Sequence, residues 1–334
     1  MLARGSSFRS GAMVAVAMIM ATCVSTTSYA LASEPRQGKP SSSGTTQQVC
    51  QPVPDLPRRL ATQSKYDQSI ASRSVIDEPA RQRRAETLAP VIQAISQVHA
   101  LVREETGDMR NSSHCAILAL RQWADAGALT EMTTSDASLT RDRFTGEIAA
   151  IVIALQARGE SLEDEGKIRT WLSTLARQTM AYYDWKAGPV SRRNNHRYWA
   201  GAAVADIGDI LGDRAMQTWS EASFAIGACQ IDEGGFLPLE LARADRAYEY
   251  HLYAYGALNR LAYQAARRGK ADLDCSDRLD RLHALVSRGG ESAHVFTQHT
   301  GLAQRTPSRS HLAAGRTPPP GTQDLETTSD VNPM

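Results

Sequence analysis

The sequence predicts an all-α protein, and three observations support that class. Segments rich in Ala, Leu and Arg run through most of the 334-residue chain, with apolar residues at helical spacing. The alternation of apolar and polar residues that is typical of half-buried strands is missing, and Gly and Pro fall mostly between the helical segments. A helical region of about 250 residues without heptads favours a globular bundle or an α/α toroid over a coiled coil.

The first 32 residues have the organisation of a secretory signal peptide. Two arginines precede the apolar run Ala12–Cys23, and a small-x-small cleavage site follows at residues 30–32. The run is too short to span a bilayer, and no later segment is long enough. Cys23 offers a lipoprotein alternative, which Thr22 disfavours because a small residue is usual at that position. We therefore expect an exported protein, periplasmic or secreted.

Three regions follow the signal peptide. Residues 33–49 are rich in Ser, Gly, Pro and Gln and are predicted to form a flexible leader. Residues 50–304 are predicted to form the helical domain, and residues 305–334 a disordered tail rich in Pro and Thr. The pattern is almost wholly helical from about residue 50 to about residue 302, and examples of the predicted helices are residues 80–103, 113–126, 141–158, 162–183, 196–211, 214–231, 237–268 and 276–288.

Export bears on the four cysteines that follow the signal peptide, Cys50, Cys115, Cys229 and Cys275. An even number of cysteines in an oxidising compartment favours disulfides, and no C-x-x-C motif or Cys/His cluster indicates a metal site. Free buried thiols are the alternative for Cys229 and Cys275. The residues alone leave the connectivity open.

The charge balance argues against a nucleic-acid-binding protein. Lys and Arg number 37 and Asp and Glu 36, which gives a net charge of +1. Several arginines nevertheless cluster around two segments, which predicts a local cationic groove for an acidic polymer or metabolite. These arginines are Arg192, Arg193, Arg197, Arg243 and Arg246.

The segment at residues 246–253, RAYEYHLY, is the most informative of the chain. On an α-helix Arg246 and Tyr253 lie within ~20° of each other, Tyr250 lies between them, and Arg243 extends the stripe. The tyrosines of this region could instead be core aromatics. The four tyrosines between residues 248 and 255 do not share one helix face, however, so some of them must lie at a cleft or at the surface.

The second informative segment is NNHRYW at residues 194–199. One of the two asparagines is explained as a helix cap. The other asparagine and His196, whose pKa the helix macrodipole would lower, remain as candidate site residues. A lone histidine at such a position is more often structural. Together with the Arg–Tyr face, however, the dyad suits holding a carboxylate while a neighbouring proton is removed.

Four segments together resemble the secreted alginate lyases of the fifth polysaccharide-lyase family: NNHRYWAG, GGFLPLELAR, RAYEYHLY and QWADAGALT. The resemblance runs from about Cys50 to about Gln304. It implies an incomplete α/α toroid with a deep substrate groove, no metal or other cofactor, and β-elimination of mannuronate-rich polymer. We expect a monomer that acts on an acidic polysaccharide, binds no nucleic acid and has no membrane span.

The resemblance places Asn195, His196, Arg246 and Tyr253 on the family's catalytic positions. Asn195 and Arg246 would hold the uronate carboxylate, and His196 would help to neutralise it. Tyr253, with a pKa depressed by neighbouring cations, would take the C5 proton and return it to the glycosidic oxygen. In mannuronate the C5 hydrogen and the C4 leaving group lie on the same side of the ring, so one tyrosine can serve as base and acid.

Further residues are predicted to bind the sugar chain. Lys65 and Tyr66 match the family's lid-loop motif SKY, and Trp123 resembles a groove aromatic, although a core tryptophan is an equal alternative. The family pattern also has cysteines near Cys50 and Cys115, which implies a disulfide between them. The complete set of predicted substrate-binding residues is Lys65, Tyr66, Trp123, Arg197, Arg243 and Tyr250.

The chain departs from the family pattern at three points. Leu252 stands where an asparagine is usual, Arg197 adds a cation beside His196, and the ending after Gln304 lacks the usual aromatic, Cys-containing sequence. The first two departures suggest an alternative lyase that prefers polyglucuronate or hyaluronan. An alternative of another class is a periplasmic polyuronate-binding protein without turnover. Binding alone, however, does not need a tyrosine placed as a base.

Overall fold

A computed structural model describes residues 49–104, 108–163 and 165–317. The predicted signal peptide, the leader apart from Val49, and residues 318–334 of the predicted tail lie outside this range. Helices dominate the described residues, with one parallel pair of two-residue strands, so the all-α prediction is confirmed. None of the helices in the described part is long and apolar enough to cross a membrane.

The helices and strands are numbered in chain order. The elements are α1 (Glu78–Arg103), α2 (Met109–Asp125), α3 (Ser135–Ala157), α4 (Gly166–Ala181), α5 (Asn195–Leu211), α6 (Arg214–Ala228), α7 (Pro238–Leu241), α8 (Ala247–Arg267), α9 (Asp277–Val286), α10 (Gly290–Thr300), α11 (Arg309–Arg316), β1 (Arg59–Leu60) and β2 (Glu131–Met132).

Helix α5 is shared between two hydrophobic cores. It packs against α3, α4, α6 and α8. Its residues Val204 and Ile207 belong to the core built with α1–α4, whereas Ala202 and Ala205 belong to the core built with α6 and α8–α10. Small residues allow these close approaches: a Cβ on Gly201 would lie 2.7 Å from the Cβ of Ser223 on α6. The first turn of α5 carries the candidate Asn–His dyad, so both cores fix its position.

The predicted helix over residues 237–268 is divided into three parts, which corrects that prediction. Helix α7 is followed by a 3₁₀ turn, Ala244–Arg246, and α8 begins only at Ala247. Ala244 has a φ of 58°, which an α-helix does not accommodate. Gln304 stabilises the turn by donating from Nε2 to the carbonyl of Ala244 at 3.1 Å. A contact from a distant part of the chain therefore overrides the local helical preference.

The end of the described chain also differs from the sequence-based prediction. Residues 305–317, which include α11, were assigned to the disordered tail. Helix α11 instead packs on α8 and α9. Gly315 of α11 makes a close approach possible, since a Cβ there would lie 2.2 Å from Cδ2 of Leu252. The short, polar sequence of α11 gives little helical signal by itself, and its order comes from packing.

Two disulfides tie separate parts of the fold together. Cys50 is bonded to Cys115 of α2, as the family resemblance implied, and Cys229 at the end of α6 is bonded to Cys275 before α9. The alternative of free thiols for the second pair is therefore wrong.

Candidate active site

A groove of about 2210 Å³ lies between the segment that precedes α1 and helices α3, α5, α8 and α11. Most of the predicted site residues line it, and they come from parts of the chain that are far apart in sequence. The lining members of the predicted set are Lys65, Tyr66, Asn195, His196, Arg243, Arg246, Tyr250 and Tyr253.

The two asparagines at the start of α5 have different tasks. Asn194 is the helix cap, and its Oδ1 accepts a hydrogen bond from the backbone N–H of His196 at 3.2 Å. Asn195 is buried at the base of the groove, where its Nδ2 lies 3.0 and 2.9 Å from the two carboxylate oxygens of Glu240. Its backbone N–H donates to the same carboxylate at 2.8 Å. Glu240 therefore fixes the orientation of the Asn195 amide.

Glu240 is a positioning residue that the sequence reasoning missed. Its side chain is fully buried, and burial raises the pKa of its carboxyl. It lies in α7, within the segment GGFLPLELAR that contributed to the resemblance. An acidic residue in an otherwise apolar stretch of a matching segment was the available signal. Oδ1 of Asn195 has no hydrogen-bond partner among the described residues, and the amide keeps this oxygen available for a ligand.

His196 is half-buried in the first turn of α5 and faces the groove. Burial, reinforced by the positive charges of Arg243 and Arg84, lowers the pKa of His196 to about 4. The predicted direction of this shift is right, although burial and not the helix macrodipole is its main cause. The imidazole is therefore neutral at neutral pH and can donate or accept a hydrogen bond but adds no charge.

Arg246 is held on both sides of its guanidinium group. It lies in the 3₁₀ turn directly before α8, where Nε and Nη2 donate to Oε2 of Glu249 at 2.9 and 2.8 Å. Its Nη1 donates to the hydroxyl of Tyr66 at 2.8 Å. The side chain is 8% exposed, and its fixed charge faces the groove in a partly dry environment. This geometry presents a permanent cation to an incoming carboxylate.

The segment that carries Lys65 and Tyr66 lies over the groove and contacts the far wall. The hydroxyl of Tyr66 lies 2.7 Å from that of Tyr250 on α8. The guanidinium of Arg243 stacks on the ring of Tyr250 at 3.9 Å and donates to the carbonyl of Arg73 at 2.8 Å. The segment around Tyr66 is thus hydrogen-bonded to Tyr250 of α8 and to Arg243, two residues that the sequence predicted at the site.

Tyr253 lies in α8, seven residues after Arg246, and contacts two other rings. The ring centroids of Trp199 and His311 are each 5.1 Å from that of Tyr253. Its hydroxyl makes no hydrogen bond within the described residues. Burial raises the pKa of Tyr253 to about 12 and outweighs the opposing charge of Arg143. The prediction that cations depress this pKa is therefore wrong for the free protein.

Trp123 and Arg197 do not line the groove, which corrects two predictions. Trp123 is fully buried in the core of α1–α4, and its indole N–H donates to the carbonyl of Pro54 at 3.1 Å. Arg197 is 5% exposed, is paired with Asp184 at 3.0 Å and stacks on Trp219 at 3.8 Å. On an α-helix the residue after His196 points about 100° away from it, so adjacency in sequence did not place Arg197 in the groove.

Other cations replace the arginines that were predicted around residue 193. Arg192 and Arg193 do not line the groove, whereas Arg84 of α1 and Arg143 of α3 do. The latter two come from segments without any marked motif, so the sequence offered no signal for them. In the described residues, no group of three or more His, Cys, Asp or Glu side chains is placed to hold a metal ion.

Comparisons with known proteins agree with this geometry. A family model described as "Alginate lyase" matches residues 94–289. An alginate lyase of Azotobacter vinelandii is 32% identical over 268 residues, which cover 76% of this chain and 70% of that protein. A polysaccharide lyase of Stenotrophomonas maltophilia is 32% identical over 239 residues, covering 69% of this chain and 70% of that protein.

A solved structure shares the fold. A histidine-to-alanine variant of alginate lyase A1-III, complexed with a tetrasaccharide, superposes with a TM-score of 0.63 at 18% identity, covering 79% of this chain and 75% of that chain. This likeness confirms the α/α-toroid prediction. The family model matches more than half of the residues of this chain, so the chain belongs to the alginate lyase family.

Proposed function

We propose that this protein is a lyase that cleaves mannuronate-rich alginate by β-elimination and leaves an unsaturated uronate end. The observation that carries the proposal is the meeting of Asn195 and His196 with the Arg246–Tyr253 face of α8 in one cationic groove. A uronate offers this groove both a carboxylate to anchor and an acidic C–H beside it. A neutral sugar polymer offers neither.

The carboxylate of the substrate is the group that the site must neutralise. The C5 proton becomes removable only when the negative charge that develops on the carboxylate is stabilised by fixed donors. Arg246 supplies a full charge that Glu249 and Tyr66 hold in place. His196, neutral because its pKa is about 4, supplies a hydrogen bond. The amide of Asn195, held by Glu240, lies beside them at the base of the groove.

Tyr253 is assigned the proton transfers. As a phenolate it takes the C5 proton, the electron pair of that bond forms the C4–C5 double bond, and the bond from C4 to the glycosidic oxygen breaks. The phenol then gives its proton to the leaving oxygen, which regenerates the phenolate. Both steps occur on one face of mannuronate, so one side chain is sufficient.

The pKa of Tyr253 sets a condition on this mechanism. Burial raises the pKa of Tyr253 to about 12, so the free phenol is protonated at neutral pH. The resting proton must therefore leave before the first elimination. Each elimination returns the phenolate, since the proton taken from C5 leaves with the product, and the phenolate takes up a proton again when the free protein re-equilibrates with water at neutral pH.

The structure removes the reason for proposing a lyase that prefers polyglucuronate or hyaluronan. It was based on Leu252 and Arg197, and both side chains are buried away from the groove. Leu252 packs against Gly315 of α11, and Arg197 pairs with Asp184. Neither departure changes a surface that a sugar ring could contact.

We also infer that the protein acts as a monomer after export to the periplasm. Residues 1–32 support export by their signal-peptide organisation, and two disulfides are consistent with an oxidising compartment.

The proposal is tested by mixing the purified protein with polymannuronate, polyguluronate, polyglucuronate and hyaluronan and following the absorbance of unsaturated uronate. We expect the largest initial rate with polymannuronate. A larger rate with polyglucuronate or hyaluronan would transfer the assignment to the alternative substrate. Tight binding of polymannuronate without any rise in absorbance would favour the binding protein.

A further inference from the structure

Helix α11 forms one wall of the groove beside the proposed proton-transfer residue. Arg309, His311 and Ala314 are among its groove-lining residues. This helix lies beyond residue 289, where the family match ends. The wall is thus built by the part of the chain that departs from the family's usual ending.

The position of α11 is fixed by several contacts with α8. Gly315 lies against Leu252, and a Cβ on Gly256 would lie 3.2 Å from the Cβ of Ala314. The hydroxyl of Tyr255 donates to the carbonyl of Thr317. Leu252 and the altered ending, which look like separate departures in the sequence, are therefore two sides of one helix contact.

His311 is the residue of α11 that reaches the catalytic groups. Its ring centroid lies 5.1 Å from that of Tyr253, at an interplanar angle of 51°. Its Nδ1 lies 3.6 Å from Oε1 of Glu249, whose other oxygen accepts from Arg246. Nδ1 is buried and has no hydrogen-bond partner among the described residues. One side chain thus touches both the proposed base and the group that holds the carboxylate anchor.

We propose that His311 is a positioning residue of this active site, which confines the Tyr253 ring and steadies the Glu249–Arg246 pair. This inference rests on the proposed β-elimination, and it adds to it a residue from the chain's own tail. Without the imidazole, Tyr253 gains space on the α11 side and Glu249 loses its second polar neighbour. Both changes loosen the geometry on which the proton transfer depends.

The charges around His311 are consistent with a neutral ring. Burial lowers the pKa of His311, and the positive charges of Arg246 and Lys65 act in the same direction, while Glu249 opposes them. A neutral imidazole carries one N–H, and in the Nδ1–H tautomer that N–H is on the atom that lies 3.6 Å from Oε1 of Glu249. The contact is then a close polar approach of the ring to the carboxylate and not an ion pair.

The test is a double-mutant cycle in kcat on polymannuronate with His311→Phe, Glu249→Gln and the double variant. Phenylalanine keeps an aromatic ring but has no polar atom. We expect His311→Phe to lower kcat by between ~10- and ~100-fold, with KM changed by less than about threefold. In the double variant the losses should not multiply, since His311 acts partly through Glu249. The control is His294→Phe on α10, where the histidine is exposed and outside the groove.

Three results would overturn the inference: wild-type kcat in His311→Phe, a loss confined to KM, or losses that multiply in the double variant. If His311→Phe does not fold, as judged by its thermal transition, His311→Asn takes its place, since its amide lies near the position of Nδ1 but the ring is lost. It is then expected to lower kcat as well, and full activity would overturn the inference. A wild-type protein without lyase activity on any uronate polymer would instead refute the proposed function.

Discussion

Tyr253 illustrates how much a buried environment changes a reactive side chain. The rings of Trp199 and His311 contact its ring, each with a centroid 5.1 Å away, and its hydroxyl makes no hydrogen bond in the described structure. Such burial disfavours the phenolate and raises the pKa to about 12, although Arg143 opposes the shift. The same burial makes the phenolate, once formed, a stronger base than an exposed one. High basicity and low initial ionisation are therefore two consequences of one environment.

A prediction about pH follows from this residue. Because the phenolate is the active form and its pKa is raised, kcat/KM should increase with pH and should not decrease. Well below the pKa of about 12, the increase should approach tenfold per pH unit. Initial rates measured between about pH 7 and 9 at low polymannuronate concentration give this slope, with the uronate carboxylates ionised throughout. A flat profile would show that ionisation of Tyr253 does not limit the free enzyme.

A second prediction concerns Glu240, which sequence reasoning missed. Glu240→Gln replaces one carboxylate oxygen with an NH₂ group that cannot accept from Nδ2 of Asn195. We expect the Asn195 amide to turn and kcat on polymannuronate to fall by up to ~10²-fold. Glu233→Gln is the matched control, since the Glu233 side chain is 91% exposed. Equal activity of the two variants would mean that the Glu240 contact does not position Asn195 for catalysis.

At the scale of secondary-structure elements, α8 and the turn before it organise the site. The 3₁₀ turn Ala244–Arg246 separates α7 from α8 and places Arg246 at the groove. Helix α8 then places Tyr250 and Tyr253 at the same groove. Periodicity alone predicted this face, because a helix fixes the angle between residues four and seven apart. It did not predict the turn, since Ala244 adopts a positive φ under the influence of Gln304, 60 residues away.

The disulfide between Cys50 and Cys115 is the element-scale feature with the clearest energetic consequence. It attaches the start of the domain to α2 and closes a loop with a sequence separation of 65. In the chain-entropy account this crosslink contributes about 4 kcal/mol by restricting the unfolded chain. Replacing both cysteines with serine should therefore lower the free energy of unfolding, measured by urea denaturation, by a similar amount. A loss below about 1 kcal/mol would contradict this account of the crosslink.

At the scale of the whole molecule, a chain with a net charge of +1 lines one groove with nine Lys and Arg side chains and seven Asp and Glu side chains, a small cationic excess. Lys65, Arg84, Arg143, Arg243 and Arg246 all line it. A sugar chain with one carboxylate per ring would meet several of these charges at once. In the proposed mechanism Arg246 neutralises the uronate carboxylate, a role that a metal ion has in other kinds of site.

Two responses to solution conditions are therefore predicted. Activity on polymannuronate should persist in excess EDTA, because the proposed mechanism neutralises the carboxylate with the charge of Arg246 and a hydrogen bond from His196 and not with a divalent cation. It should fall steeply as salt is added, since charges are screened over about 8–10 Å at moderate ionic strength. Both are measured from initial rates with and without chelator across a salt series. Activity lost in EDTA and restored by calcium would reassign the neutralising role.

The sequence was sufficient for the fold class and most of the groove residues, because these depend on local periodicity or on short matching segments, whereas the Cys50–Cys115 pairing was implied only by the family resemblance. It was not sufficient for Trp123 and Arg197, whose environments are set by packing between distant helices. The order of residues 305–317 was also missed, because a short polar helix is stable only on the surface of α8. Of the groove-lining candidates, Asn195, Arg246 and Tyr253 were predicted from the sequence, whereas Glu240, which holds Asn195, was not.

The assignment of both proton transfers to Tyr253 is tested by comparing two tyrosine variants of α8. Tyr253→Phe removes only the hydroxyl, while Tyr248→Phe removes the hydroxyl of a core tyrosine on the same helix, whose partner is the carbonyl of Val286. On polymannuronate we predict that Tyr253→Phe lowers kcat by at least ~10³-fold with little change in KM, because an interaction made only in the transition state is lost. Tyr248→Phe should keep near-wild-type turnover. If Tyr253→Phe retained a tenth of wild-type kcat, the proton transfers would belong to another residue.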